Sequence, residues 1–295
     1  MSVPLSYITV IFIWTTTPLA IKWSAEGAGF VFAVSSRMVI GAILALLVTL
    51  MLRLDIPWHK NAIKVYMFSG YGIAISMMFV YWAAQYVPSG WISLIFGLSP
   101  IITGLLVYIV HGENDFNRDK LLGLVLAIAG LAVIFSTGFS LNANAATAIV
   151  AVLISTVIYS FTAVKIKQHN KDIPALTVTA AGLLFAVPLY GFSWYLIDGV
   201  VPLAIELRAG LSILYLALFG SVIGFALFFY ILKHVSVSRV SLITLITPLT
   251  ALFLGKYLNN EPLTLEILAG AMMILSGLAS YEFGSMLKRR RCDSL

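Results

Sequence analysis

Ten apolar stretches, each about as long as a bilayer is thick, leave this chain few ways to fold. They cover residues 4–22, 30–52, 65–86, 91–110, 121–138, 147–165, 174–196, 211–232, 239–258 and 264–284. A helix rises about 1.5 Å per residue, so roughly 20 apolar residues cross the hydrocarbon core. That core offers backbone amides no water, so only helices and closed barrels span it. The stretches are not decamers of alternating polarity, which excludes a barrel. The chain reads as an all-α polytopic membrane protein with ten transmembrane helices. The first stretch has no basic residue ahead of it, so it reads as a span and not as a cleaved signal peptide.

Composition narrows the function classes. Only 10% of the 295 residues are charged and 61% are apolar, against about 25% charged in soluble domains. A soluble enzyme, a nucleic-acid-binding domain and a disordered chain are excluded. The pI of 9.4 comes from 18 basic residues spread along the chain, not gathered on one face. Cys292 is the single cysteine, and no Cys/His cluster suggests a metal site. No metal or cofactor is expected; the expected partners are a small-molecule substrate and the lipid bilayer, with the protein a monomer or homodimer.

Lysine and arginine placement sets orientation. With the N-terminus inside, fourteen basic residues fall on the inner side and three (Lys22, Arg208, Lys256) on the outer, with Arg37 inside the second span. Both termini are therefore expected in the cytoplasm of a cell (inner) membrane protein, which also requires an even number of spans.

The chain repeats internally. At an offset of 148, Val87, Ser93, Leu94 and Pro100 fall on Val235, Ser241, Leu242 and Pro248, Gly72 falls on Gly220, and Glu113 falls on Glu261. At 147, Gly123 and Gly130 fall on Gly270 and Gly277; at 145, Trp14 falls on Tyr159 and Lys22 on Lys167. Five spans per copy is odd, so the second copy must lie inverted in the membrane. The expected organisation is two inverted five-helix repeats, 1–140 and 141–287, with a basic cytoplasmic tail at 288–295. Inverted repeats are typical of secondary transporters with sites near the midplane between the halves.

These residues carry a resemblance to a known family. Trp14 followed by Thr15-Thr16-Thr17 and Lys22, Arg37 in the second span, Leu94 to Pro100 with Glu113, Leu242 to Pro248 with Glu261, and the glycine pairs 123/130 and 270/277 together resemble the EamA family of the drug/metabolite transporter superfamily. The resemblance covers nearly the whole chain. It implies ten helices in two five-helix repeats, with spans 1, 3, 4, 6 and 8 lining a central cavity. The chain departs from the family at 15–18, where Thr-Thr-Thr-Pro stands and a glycine often follows the tryptophan.

Candidate substrate-binding residues follow from chemistry that a membrane interior makes costly or specific. The aromatics are Trp14, Tyr81, Trp82, Phe96, Tyr159 and Phe229; the hydroxyls are Thr15, Ser93, Ser99, Thr162, Ser241, Thr244 and Thr247. Packing against lipid or a neighbouring helix is the competing role for the aromatics, and bonding to a carbonyl one turn back is the competing role for the hydroxyls. Trp58, Trp91, Trp194 and Tyr195 are expected in interfacial belts. Pro18, Pro100 and Pro248 free backbone carbonyls and are candidate hinges. Arg37 lies at membrane depth, while Lys22, Lys167, Glu113 and Glu261 sit at span ends, where the lysines can snorkel. No Asp or Glu falls at the centre of a span, so strict dependence on a proton gradient is not expected. Gly97-Leu98-Ser99 resembles an intramembrane serine protease motif, but no histidine lies at membrane depth to activate the serine.

The resulting expectation is a secondary transporter that exports a small organic metabolite, an amino acid or related amphipathic solute, by alternating access. An importer of a nucleoside- or sugar-like metabolite is the runner-up; a non-transporting scaffold or an intramembrane enzyme is the reading from another class. The topology is directly testable. Cysteines placed at Asn144 or Ser89 should label from outside intact cells and native Cys292 should not; external labelling of Cys292 would reverse the orientation.

Overall fold

The computed structural model describes residues 2–111, 117–141, 143–170, 173–224, 226–227, 230–231 and 237–292. No strand occurs among them. In chain order the helices are α1 (Val3–Ala25), α2 (Phe30–Met51), α3 (Lys60–Ala83), α4 (Ser89–Phe96), α5 (Ser99–His111), α6 (Arg118–Leu141), α7 (Ala143–His169) and α8 (Ala175–Ile197). Then come α9 (Leu207–Tyr215), which runs on as a π-helical segment over Leu216–Ile223, α10 (Val237–Asn259) and α11 (Leu265–Cys292).

Eight segments are long and apolar enough to cross a membrane, with α4 and α5 counted together. The shorter apolar Leu207–Ile223 and α10 bring the spans to ten, as the apolar stretches predict. The chain is a multi-pass membrane protein. Its outward surface carries Ile8, Phe12, Met51, Ile109 and Met272, all exposed. In a bilayer these side chains face lipid, so their exposure carries no hydrophobic cost.

Two departures from regular helix have local causes. The fourth span breaks at Gly97 and Leu98. Pro100 has no N–H to return to the Phe96 carbonyl, and the Ser99 hydroxyl donates to that carbonyl instead. The break lies against α10, where a Cβ on Gly97 would stand 3.2 Å from Pro248. The other departure is the π-helical run, in which Ser221 Oγ donates to the Leu216 carbonyl five residues back at 3.2 Å. By contrast, Pro18 and Pro248 lie inside continuous helices.

Glycine permits the closest helix approach. A Cβ on Gly123 would meet the Gly277 carbonyl at 2.5 Å, and one on Gly130 would meet the Gly270 carbonyl at 2.5 Å. The lower number of one helix meets the higher of the other, so α6 and α11 pack antiparallel along two backbone contacts. Elsewhere α3 packs on α7 and α8, α2 on α8 and the π-helical segment, and α1 on α9 and α10. Trp91, Leu94 and Ile95 of α4 lie fully buried at the centre of the main core with Tyr81, Ile149 and Tyr190.

Two sequence expectations are corrected here. Trp91 is fully buried and is not an interfacial residue, because α4 lies inside the bundle. Ser89 is likewise fully buried, so a cysteine there is not a free outer label; Asn144 remains exposed. The glycine contacts generate a test. Gly277→Val should cost about 1–3 kcal/mol by forcing α6 and α11 apart and should lower the thermal midpoint in detergent. Gly191→Val, where no atom stands within 4 Å of a new Cβ, should leave it unchanged. Equal midpoints for the two variants would mean the glycine seam does not hold the helices together.

Candidate functional site

Two polar assemblies in the interior contain charged side chains. The first surrounds Arg37, the eighth residue of α2, which is 4% exposed. Its Nε donates to Ser221 Oγ at 3.3 Å and Nη1 donates to the Tyr81 hydroxyl at 3.3 Å. Tyr190 of α8 is fully buried; its carbonyl accepts from Ser35 Oγ of α2 at 3.4 Å, and its hydroxyl donates to the Ile73 carbonyl of α3 at 3.3 Å. Four elements converge here: α2 and α3 from the first half of the chain, α8 and the π-helical segment from the second. No carboxylate pairs with Arg37 among the described residues.

The second assembly lies where α1 ends and α4 begins. Glu261, 8% exposed, follows α10 and reaches back to the N-terminus of α4. Its Oε2 accepts from Ser89 N at 2.8 Å and Ser89 Oγ at 2.9 Å. Helix N-termini present unpaired N–H groups and a positive dipole end, so a carboxylate is favoured there. Oε1 accepts from Asn259 Nδ2 at 3.0 Å and lies 3.7 Å from Lys22 Nζ. Lys22 Nζ also donates to the Val87 carbonyl at 3.1 Å. Gly255 makes room, since a Cβ there would overlap the Glu261 carboxylate. Trp23 Nε1 donates to Asn259 Oδ1 at 2.9 Å, the Arg208 guanidinium stands 5.5 Å from the Trp23 ring centroid, and Arg208 pairs with Glu26. A continuous polar chain thus ties α1 and α4 to α9, α10 and the connection to α11.

The remaining predicted residues divide between these assemblies and separate packing sites. Thr15 Oγ1 and Thr250 Oγ1 hydrogen-bond at 2.7 Å, joining α1 to α10 one turn from buried Thr247. Thr244 is half-buried on the same helix. Trp14 packs with Val10, Ile231 and Ile243. The Phe96 ring meets Tyr159 edge-on at 6.0 Å, beside the α4 break, where Ser160 Oγ donates to the Ser99 carbonyl at 3.5 Å. Ser93 is buried on α4. Thr162 sits where a Cβ on Gly72 would collide with it, so it seals α7 on α3. Trp82 pairs with Tyr86, ring centroids 5.2 Å apart, at the end of α3. Lys167 is exposed, unlike its repeat mate Lys22. Glu113, Phe229 and the Ser241 side chain lie outside the described residues.

Sequence reasoning missed Ser221, Tyr190, Ser89 and Asn259. Ser221 sits between Gly220 and Gly224 in an apolar stretch, with no local signal that it partners an arginine. The other three have no distinguishing neighbours, and only the fold brings them to Arg37 and Glu261. No three described His, Cys, Asp or Glu residues gather as metal ligands. A crevice between α3 and α8, lined by Tyr71, Leu184, Phe185, Pro188, Leu189 and Phe192, is apolar and lies apart from both assemblies.

Comparison with known proteins supplies the family. The model of the EamA-like transporter family matches twice, over residues 2–136 and 146–281. An uncharacterized transporter of Archaeoglobus fulgidus is 28% identical over 271 residues, covering 92% of this chain and 95% of that protein. A probable amino-acid metabolite efflux pump of Salmonella typhimurium is 26% identical over 232 residues, 75% of this chain and 77% of its own. A probable terminal-alkyne amino-acid exporter of Streptantibioticus cattleyicolor is 24% identical, covering 94% of this chain and 90% of its own. A solved crystal structure superposes with a TM-score of 0.67 over 98% of both chains at 19% identity, a likeness of fold. With both halves matched, the chain belongs to the EamA-like transporter family.

Proposed function

We propose that this protein is a secondary transporter of the cytoplasmic membrane, not an enzyme, and that it exports an amino acid or related amphipathic solute by alternating access. Both termini lie in the cytoplasm, and residues 1–140 and 141–287 form two inverted five-helix repeats. The observation that carries the mechanism is the polar joint around Glu261. Lys22 and Ser89 come from one half, Asn259 and Glu261 from the other. In the proposed orientation this joint closes the outer side, and the solute leaves only when it opens.

Several observations support the rest. The two family matches divide the chain near residue 140. The α6–α11 contacts are reciprocal: Gly123 touches Gly277 while their repeat mates Gly270 and Gly130 touch each other, as a two-fold axis between equivalent helices requires. The amino-acid assignment draws on the names of two relatives. Trp14 and Tyr159 occupy equivalent places on the first helix of each half, and we assign them as aromatic contacts to the solute. Thr15, Thr244, Thr247 and Phe96 are placed beside them, and the α4 break at Pro100 and the Gly97–Pro248 contact serve as the hinge region.

Breaking the joint tests the mechanism. Hydrogen bonds to a charged group contribute about 1.5–3 kcal/mol, and about 1.4 kcal/mol is a tenfold change in population. In Glu261→Gln, a cysteine at buried Thr247 should therefore label from outside roughly tenfold faster or more than in the parent protein. Unchanged labelling would show that the Glu261 joint does not close the outer side.

A further inference from the structure

We propose that Arg37 and the Tyr81 hydroxyl form a binding site for a carboxylate, the anionic end of the transported solute. This rests on the transporter reading and adds the charge its solute must carry. Arg37 Nε and Nη1 are engaged with Ser221 and Tyr81, while Nη2 has no acceptor among the described residues. Tyr81 accepts from Arg37 and keeps its own O–H free to donate. The assembly therefore offers a charged N–H and a phenolic O–H side by side, the donor set a carboxylate takes up.

Burial points the same way. A charge at membrane depth is costly and is normally paired. Arg37 has only neutral hydroxyls beside it, and none of the twelve acids in the chain falls at the centre of a span. No described residue supplies the opposite charge, and a bound carboxylate would. The cluster holds one cation, which matches a single negative charge; a phosphate would bring more.

The local geometry serves such a ligand. Nη2 stands 3.0 Å from where a Cβ on Gly220 would be, so glycine keeps that edge of the guanidinium clear of a side chain. Ser221 is held on the other edge by its bond to the Leu216 carbonyl, which the π-helical register makes available. Because α2 and α3 belong to one half and α8 and the π-helical segment to the other, a carboxylate held here bears on both halves and is sensitive to their relative movement.

The test uses the full-length protein in detergent and in liposomes. Thermal stabilisation is measured with the twenty protein amino acids and their methyl esters, and with acetate and acetamide. At least one acid should stabilise the protein while its ester or amide does not. The apparent affinity for that acid should fall at least tenfold in Arg37→Gln and in Tyr81→Phe, with Arg37→Lys between them and the parent. Ligand-free Arg37→Gln should melt no lower than the parent, since it loses an unpaired buried charge. If Arg37→Gln does not fold, Tyr81→Phe and Arg37→Lys carry the comparison. Equal stabilisation by acid and ester, no binding by any acid, or acid binding that survives in Arg37→Gln would overturn the assignment. If non-acidic solutes then drive counterflow in liposomes, the transporter reading stands without it. If the parent protein catalyses counterflow of no solute of any class, the transporter reading falls as well.

Discussion

Hydrocarbon gives a polar group no partner, and most of this architecture is a response to that. Each backbone amide must be bonded within the protein, so the apolar stretches become helices. Where Pro100 removes a donor, the Ser99 hydroxyl takes over the stranded Phe96 carbonyl and the helix breaks cleanly. Where helices need close contact without help from water, glycines bring backbones together, as along α6 and α11. The same constraint makes the few buried polar side chains informative. Glu261 is surrounded by donors, with Lys22 beside it. Arg37 has hydroxyls but, among the described residues, no opposite charge. Among the described residues one assembly pairs its charge and the other does not, which is why we read the first as a joint and propose the second as a site.

Span number and the repeated spacing of glycines 123/130 and 270/277 were legible in the sequence because both are patterns at fixed spacing; that the glycines meet each other, 123 with 277 and 130 with 270, took the fold to show. Arg37 and Glu261 were legible for a different reason: a charge in or beside an apolar stretch has few neutral explanations. Their partners were not. Nothing in the local sequence of Ser89 or Asn259 announces that a carboxylate more than 170 residues away from Ser89 will cap the start of α4. Ser221 needed the π-helical register to become visible, and a π run has no strong signal in composition. Trp91 was misplaced because a tryptophan near a span end is normally interfacial, whereas α4 is enclosed by neighbours on every side. Thr162 shows the opposite limit: a hydroxyl at membrane depth that the fold places against Gly72.

In the proposed cycle the two polar assemblies would act on the same event from different positions. The Glu261 joint ties the halves where α1 ends, and the Arg37 cluster joins them deeper, across α2, α3, α8 and the π-helical segment. On the proposed cycle, a solute that neutralises Arg37 would change the balance of charge between the halves, and the joint would decide whether the outer side yields. Lys167, which aligns with Lys22 at an offset of 145, is exposed, whereas Lys22 pairs with Glu261.

Distances across the two mouths test the central claim most directly. Spin labels can be placed at Gln85 and Tyr257 on one face and at Lys64 and Gln168 on the other, all exposed positions, in protein reconstituted in liposomes. Alternating access predicts that a transported solute shifts the two distance distributions in opposite directions, one pair separating as the other closes. Distributions that stay fixed, or widen together, would contradict it.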